Sequence, residues 1–483
     1  MTNIWFGLDE GLARVTLNGT AKAELTLKAG PVVRISADPL APNLVYAATV
    51  DDGLFRSDDG GATWEQAGPG IGSLVWSMAV SYGERVNGAG VIYIGTEPSA
   101  LWRSEDRGAT FHELPALALQ DIPSRPEWSF PPAPDTHHIE SIAIDPGDPQ
   151  KLLVGIELGG IFRSGDGGEN WELCPDADPD AHTLLTHPGA PGRVYESGGM
   201  FYAETRDGGA TWRRDLEGIP EEICYFDGAA VDPGDPETIV IVAAKDPYSG
   251  HAVPIPGFPV WSTLYRRVGD EPWQELTDGL PDREGTAMGF LTTSPDEPGA
   301  FYYTTITGDL YRSGDSGATW SNAELQWPAD LPSPVIRCAG TVFGSGGPIG
   351  SLFAPSFGDG LDPALRLALM NLACGPQAQR RYVQLGSLQR ACSTVEAHAP
   401  RVGELVSAGL LDEQQAAQLE ELGSEVAKLR AASDDFMAER DAGPRDFLFG
   451  HALEDEGWHN LRHHARTLFT SLRETGSRSP AEV

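Results

Sequence analysis

Three side chains able to do acid–base chemistry recur at one position of a repeated strand: Glu140, His182 and Asp227. Each is the second residue of a strand expected to line a central channel. Cleaving a glycosidic bond takes two carboxyl groups about 5–10 Å apart, one of them kept protonated. Glu140 and Asp227 would supply that pair, with His182 between them. The bland alternative is a set of hydrogen-bonded channel residues around ordered water, the commoner fate of polar groups in such a place and the reading adopted. One position further along, Arg34 and Arg337 are expected on adjacent strands of the same channel, where they would bind an anionic group.

Other residues point to binding. Two long segments, 115–137 and 246–262, are rich in proline and aromatics, among them Trp128, Phe130, Tyr248, Phe258 and Trp261. Long loops on a rigid scaffold are where binding is usually built. Equivalent turns also carry an acid: Asp9/Glu10, Asp51/Asp52, Glu97, Glu157, Glu196, Asp246 and Asp309. Together they would ring one channel mouth with negative charge and suit a cation or a basic peptide. Tight turns favour Asp in any case. Near the end of the chain, His451, Asp455, His459 and His463 stand four apart, a spacing that on a helix can share a metal. Gly457 breaks the run, and Trp458 and Leu461 beside it indicate packing, so no metal and no cofactor is expected. The glycines at 346, 347 and 350 lack the lysine and the helix of a phosphate loop.

The elements that must position these residues are set by a short motif, Ser/Thr-x-Asp-x-Gly-x-Thr-aromatic. It occurs at Ser57–Trp64, Ser104–Phe111, Ser164–Trp171 (with Asn170 for Thr), Thr205–Trp212 and Ser313–Trp320, and in decayed form at Arg267–Trp273. Self-similarity at roughly 40–60 residues marks a repeat architecture. An alternating apolar run precedes each copy and a short strand follows it, so the motif is a hairpin turn. Its aspartates (Asp59, Asp106, Asp166, Asp207 and Asp315) would bond backbone N–H groups, its glycine would take positive φ, and its aromatic would pack beneath.

This motif resembles the Asp-box, or BNR, repeat of sialidases, other glycoside hydrolases, sortilin-type receptors and photosystem assembly factors, within the wider WD40/YVTN/BNR-like repeats. The resemblance covers about residues 1–345. It implies a β-propeller and, for a sialidase-like glycoside hydrolase, an active site on the face opposite the Asp-box turns. Sialidases hold the substrate carboxylate with three arginines. Only Arg34 and Arg337 have that character here, so sialidase activity is not expected.

Each repeat divides into four strands, one blade. Residues 4–28 supply three outer strands without an inner one, and residues 335–342 an inner strand without a blade. Joining them gives seven blades closed by a three-plus-one exchange; six is the alternative count. From about residue 360 the hydrophobic period changes from 2 to 3.6. The expected division is a propeller over 1–345, a linker over 346–360, a helical bundle over 361–475 and a disordered tail over 476–483.

The chain has 483 residues and a formal net charge of −36, which disfavours nucleic acid and anionic membrane surfaces as partners. The N-terminus lacks the basic and apolar regions of a signal peptide, and five scattered cysteines suit reduced thiols, so a cytoplasmic location is expected. The expected function is non-catalytic recognition of a protein or carbohydrate on the face opposite the Asp-box turns, with the helices for docking or oligomerisation. Glycoside hydrolysis from the same face is the alternative.

Overall fold

Each Asp-box closes its hairpin by the bonding its residue types dictate. In the first copy the Ser57 hydroxyl donates to Asp59 Oδ1 (2.8 Å) and accepts the Gly61 N–H (2.7 Å). Asp59 accepts the Thr63 N–H (2.9 Å) and hydroxyl (2.7 Å). The pattern recurs at Asp106, Asp207 and Asp315, and the Asn170 amide replaces the threonine hydroxyl at Asp166. Gly60 and Gly61 take φ of +70° and +81°. A Cβ on Gly61 would lie 2.2 Å from the Trp5 ring, so the second glycine also lets the neighbouring blade approach.

A computed structural model describes residues 2–17, 20–119, 137–178, 180–245, 247–250, 260–295, 297–331, 335–341 and 344–345, and, towards the C-terminus, 395, 398–407, 411–440, 460–461, 464–465 and 467–468. The first set forms a seven-bladed β-propeller. Blade 1 runs Val32–Asp38, Ala41–Thr49, Leu54–Ser57 and Glu65–Ala67, from the channel outward. Blade 2 follows with Leu74–Val86, Ala89–Glu97, Leu101–Ser104 and His112–Leu114. Blade 3 is Ile139–Ile144, Leu152–Ile156, Gly160–Ser164 and Glu172–Leu173. Blade 4 is Ala181–Thr186, Val194–Gly198, Tyr202–Thr205 and Arg213–Arg214. Blade 5 comprises Tyr225–Asp232, Asp235–Ala244, Thr263–Val268 and Gln274–Leu276, with the decayed motif at its last turn. In blade 6 the strands are Phe290–Thr293, Phe301–Thr304, Leu310–Ser313 and Ser321–Asn322.

Blade 7 is the exchanged one. Its inner strand, Ile336–Thr341, pairs antiparallel with Thr2–Leu8, which continues into Gly11–Leu17 and Ala21–Lys28. Closing the ring this way pairs the sheet edges that the two chain ends would otherwise leave open. A two-residue strand, Gly344–Ser345, turns back on this inner strand and also pairs with Ala229 and Ala230 of blade 5. On the Asp-box side, blades 1 to 4 leave a cavity of about 120 Å³ lined by residues such as Ile35, Tyr82, Ile142 and Leu184.

Successive blades are stapled by a recurrent carboxylate. Asp38, Asp145 and Asp232 end the inner strands of blades 1, 3 and 5 or follow them directly. They accept the backbone N–H of Gly90 (2.7 Å), Gly192 (2.7 Å) and Gly299 (2.8 Å) in the next blade. In blade 4 the imidazole of His187 takes this place, bonding Pro233 O at 3.0 Å. Blades 4 and 5 are further joined by Glu204, 8% exposed, between buried Arg193 (2.7 Å) and Arg267. Cys174 and Cys338 are free and buried, and burial pushes both thiols up to about 12.

The described residues of the second compact unit lie within 352–483. Its described elements are a 3-10 turn, Ala399–Arg401, then helix α1 (Val402–Ser407) and helix α2 (Glu413–Arg440). Leu419, Leu422 and Val426 of α2, spaced three and four apart, are buried. Much of the helical bundle expected over 361–475, the linker and the tail lie outside the described residues, as do Trp128, Phe130, Phe258, Asp246, His451, Asp455, His459 and His463 and the side chain of Tyr248. Among the described residues no helix is long and apolar enough to cross a membrane.

Candidate functional site at the channel mouth

A strand that simply alternates would send every second residue of the inner strands into the channel. The inner strands do something else. Six of the seven carry a register shift at their N-terminal end, so that one residue or two go unpaired. The unpaired residues are Val33, Trp76, Glu140, His182, Asp227 with Gly228, and Arg337. Such a bulge re-aims a side chain. Placed at the same level of each blade, the bulges gather their residues at the mouth opposite the Asp-box turns.

Glu140, His182 and Asp227 therefore stand at the same level, as the sequence implied, and each is turned by a bulge. Arg34 and Arg337 are not equivalent, contrary to expectation: Arg337 occupies the bulge, whereas Arg34 lies beyond it, paired with Ala48. Their blades are adjacent, but their guanidinium groups serve different partners. Arg337 binds Asp9 of its own blade. Arg34 reaches past blade 2 to the Glu140 carboxylate and donates to the Glu140 carbonyl (3.2 Å).

Glu140 is fully engaged. Arg34 takes Oε1, and the Trp76 indole N–H and His138 Nε2 (3.2 Å) take Oε2. Trp76 also lies against the His138 ring, with centroids 4.2 Å apart. His138 Nε2 has a second partner in Glu157 Oε2 at 2.8 Å. Burial would lower the His138 pKa, but its bonds to Glu140 and Glu157 outweigh that and raise it to about 9. Burial likewise opposes ionisation of Glu140, and the Arg34 charge and His138 overcome it, holding the carboxyl below its ordinary value.

His182 sits beside this cluster, 6% exposed. Its Nδ1 bonds the Phe226 carbonyl at 3.0 Å and lies 3.5 Å from Asp227 Oδ1. Its Nε2 faces Asp180 Oδ2 (3.4 Å) and Glu157 Oε1 (3.8 Å). Burial depresses the His182 pKa, and Asp227, Glu157 and Glu140 together reverse that. Asp227 is raised by burial, against the pull of His182. The two carboxyls proposed for glycosidic chemistry are thus pushed in opposite directions.

Several members of this site escaped the sequence reading. His138 and Trp76 carried no motif. Asp180 precedes His182 by two residues, a spacing that places both on one side of an extended chain, and this is the one signal that was available. The sequence marks Glu157 only as a turn acid. The turn acids Asp9, Glu10, Asp51, Asp52, Glu97, Glu157 and Asp309 do lie at the turns between second and third strands or at their edge, whereas Glu196 does not. It sits inside Val194–Gly198, fully buried, and burial with the charge of Asp178 raises its pKa well above the ordinary value. Trp261 is also not a loop-tip contact: it is 7% exposed in the blade 5 core, with Lys245 Nζ 4.9 Å from its ring centroid.

Residues 101–114 match the BNR-Asp box repeat family. No curated protein matches the chain. Among solved structures, an ancestral GH74 enzyme is 18% identical, with a TM-score of 0.45, covering 65% of this chain and 38% of its own. The GH74 xyloglucanase of Xanthomonas campestris is 19% identical, with a TM-score of 0.46, covering 60% and 45%. A YCF48 structure bound to a D1 peptide is 18% identical, with a TM-score of 0.44, covering 65% and 91%. The chain thus spans less than half the length of these GH74 structures. At such identities the likeness concerns the fold alone, and the fold hosts many functions.

Proposed function

We propose that the propeller is a non-catalytic recognition platform that binds a basic protein segment at the mouth opposite the Asp-box turns. The observation that carries this reading is the state of Glu140. A glycosidic acid or nucleophile must be free to face substrate. Glu140 instead has its oxygens committed to Arg34, Trp76 and His138, so it works as a fixed structural charge. Around it the exposed turn acids Asp51 and Asp52, with Glu10, Glu97 and Asp309, present a negative rim. Such a rim attracts and orients cationic chain segments.

The test offers basic, neutral and acidic peptides of equal length to the full chain, together with a panel of glycosides. Basic peptides are expected to bind, more weakly as salt rises. Asp51→Asn with Asp52→Asn is expected to weaken them, and Asp58→Asn with Glu105→Gln on the Asp-box face is not. Equal binding of all three peptide classes would defeat the proposal. A hydrolytic second reading has one observation in its favour, the opposite shifts of Glu140 and Asp227. It requires glycoside turnover that disappears in Asp227→Asn. The helices we assign to docking or oligomerisation, checked by light scattering of the full chain across concentrations.

A further inference from the structure

We propose that Glu157, Asp180 and His182 form the ligand set of a divalent transition-metal site, of the zinc type, between blades 3 and 4 at the channel mouth. His182 is held in a defined orientation by one of its ring nitrogens. Its Nδ1 stands 3.0 Å from the Phe226 carbonyl, which only accepts, so Nδ1 carries the proton. Metal-binding histidines are characteristically oriented this way, one nitrogen donating to a carbonyl or carboxylate and the other presenting its lone pair.

Nε2, the nitrogen that would offer its lone pair to a metal, looks at Asp180 Oδ2 at 3.4 Å and Glu157 Oε1 at 3.8 Å. All three atoms lie within 4.8 Å of one another. Ligand atoms around a tetrahedral zinc ion with bonds near 2.0–2.1 Å stand roughly 3.3–3.4 Å apart. A protonated imidazole aimed at carboxylates closes to about 2.7–2.9 Å. The same protein shows that case next door: His138 Nε2 reaches Glu157 Oε2 at 2.8 Å. Glu157 thus gives one oxygen to a hydrogen bond that fixes its orientation and leaves the other facing His182 and Asp180.

Charge points the same way. Six carboxyl side chains (Glu140, Glu157, Asp178, Asp180, Glu196 and Asp227) gather near Arg34, His138 and His182, with Arg214 acting on Glu196 as well. Arg34 is consumed by Glu140. Carboxylates gathered out of water are eased by a nearby cation, and Asp180 is fully buried. A metal at the Glu157, Asp180 and His182 position supplies that charge. Mixed imidazole and carboxylate donors suit zinc and its neighbours rather than calcium. With three protein ligands one coordination position is left for water, and the side chain of Glu157, 15% exposed, marks the route in.

The test uses the full chain stripped of metal with a chelator and titrated with zinc chloride in a calorimeter. Cobalt(II) serves in parallel, because its visible absorption reports coordination number. Wild type is expected to bind one equivalent of each metal at this site. Glu157→Gln and His182→Gln are each expected to weaken zinc at least tenfold and to lose the cobalt spectrum. Melting of each metal-free variant shows whether it is folded; should His182→Gln fail to fold, Glu157→Gln, in an accessible turn, decides alone. Absence of stoichiometric binding by wild type overturns the proposal. So does binding that survives unchanged in folded Glu157→Gln.

Discussion

Replacing Glu140 with glutamine separates a structural carboxylate from a catalytic one. The side chain of Glu140 is 6% exposed, that of Arg34 7% and that of His138 is fully buried. Glutamine has nearly the same shape but no charge, and its amide would point two hydrogens at a place already filled by donors from Arg34, Trp76 and His138. Removing one member of a buried ion pair costs about 3–5 kcal/mol, because the other charge is left behind. For a chain of this size that loss lowers the urea midpoint by about 1 M at unchanged slope. The assay is urea unfolding of wild type, Glu140→Gln, Arg34→Met and the double variant Arg34→Met with Glu140→Met. The double variant is expected to recover most of the loss, since replacing a whole buried pair with apolar groups is often neutral. A shift below about 0.5 kcal/mol in Glu140→Gln would refute the reasoning, because such values are ordinary for surface positions. Full stability with lost glycoside turnover would move Glu140 to the catalytic role.

Three further outcomes follow from the fold. Glu204→Ala leaves Arg193 and Arg267 buried without their shared carboxylate and is expected to cost about 3–5 kcal/mol in urea unfolding, with Arg206→Ala nearby nearly neutral as the control. Asp145→Ala strips the bond to the Gly192 N–H of the next blade and is expected to cost about 1–3 kcal/mol, part of which Asp145→Asn restores; equal stability of all three proteins would remove the staple from the account. The Asp-box aspartates give an acid limit. Hydrogen bonds from Thr63 and Thr319 pull Asp59 and Asp315 down from 3.8 to about 2. A carboxyl depressed in the folded state stabilises above its unfolded pKa and loses that contribution as protons bind. Stability is therefore expected to fall as pH drops from 3.8 towards 2, less steeply in Asp59→Asn with Asp315→Asn, and an identical acid profile in that variant would contradict it.

The hairpins, the blade count and the closing strand were legible because each follows from bonding over a few residues. Ser57, Asp59, Gly61 and Thr63 satisfy one another within one turn, so their spacing alone announces it, and five copies announce a ring. Three strands at one end of the chain and a lone strand at the other left one arrangement that pairs both. The site is different in kind. Its residues meet because bulges break the period of two on which strand reading depends, and a one-residue shift reverses which face a side chain takes. That is why Arg34 and Arg337 looked equivalent and are not. Glu196 looked like a rim acid, but the second strand of blade 4, Val194–Gly198, runs on past it and buries it. Arg34 and Glu140 lie 106 residues apart and on blades that are not neighbours. Sequence by itself determined the scaffold, through local hydrogen bonding repeated from blade to blade. Which carboxylate is held by an arginine, which faces a histidine and which stands open to solvent was decided only when seven inner strands converged on one axis.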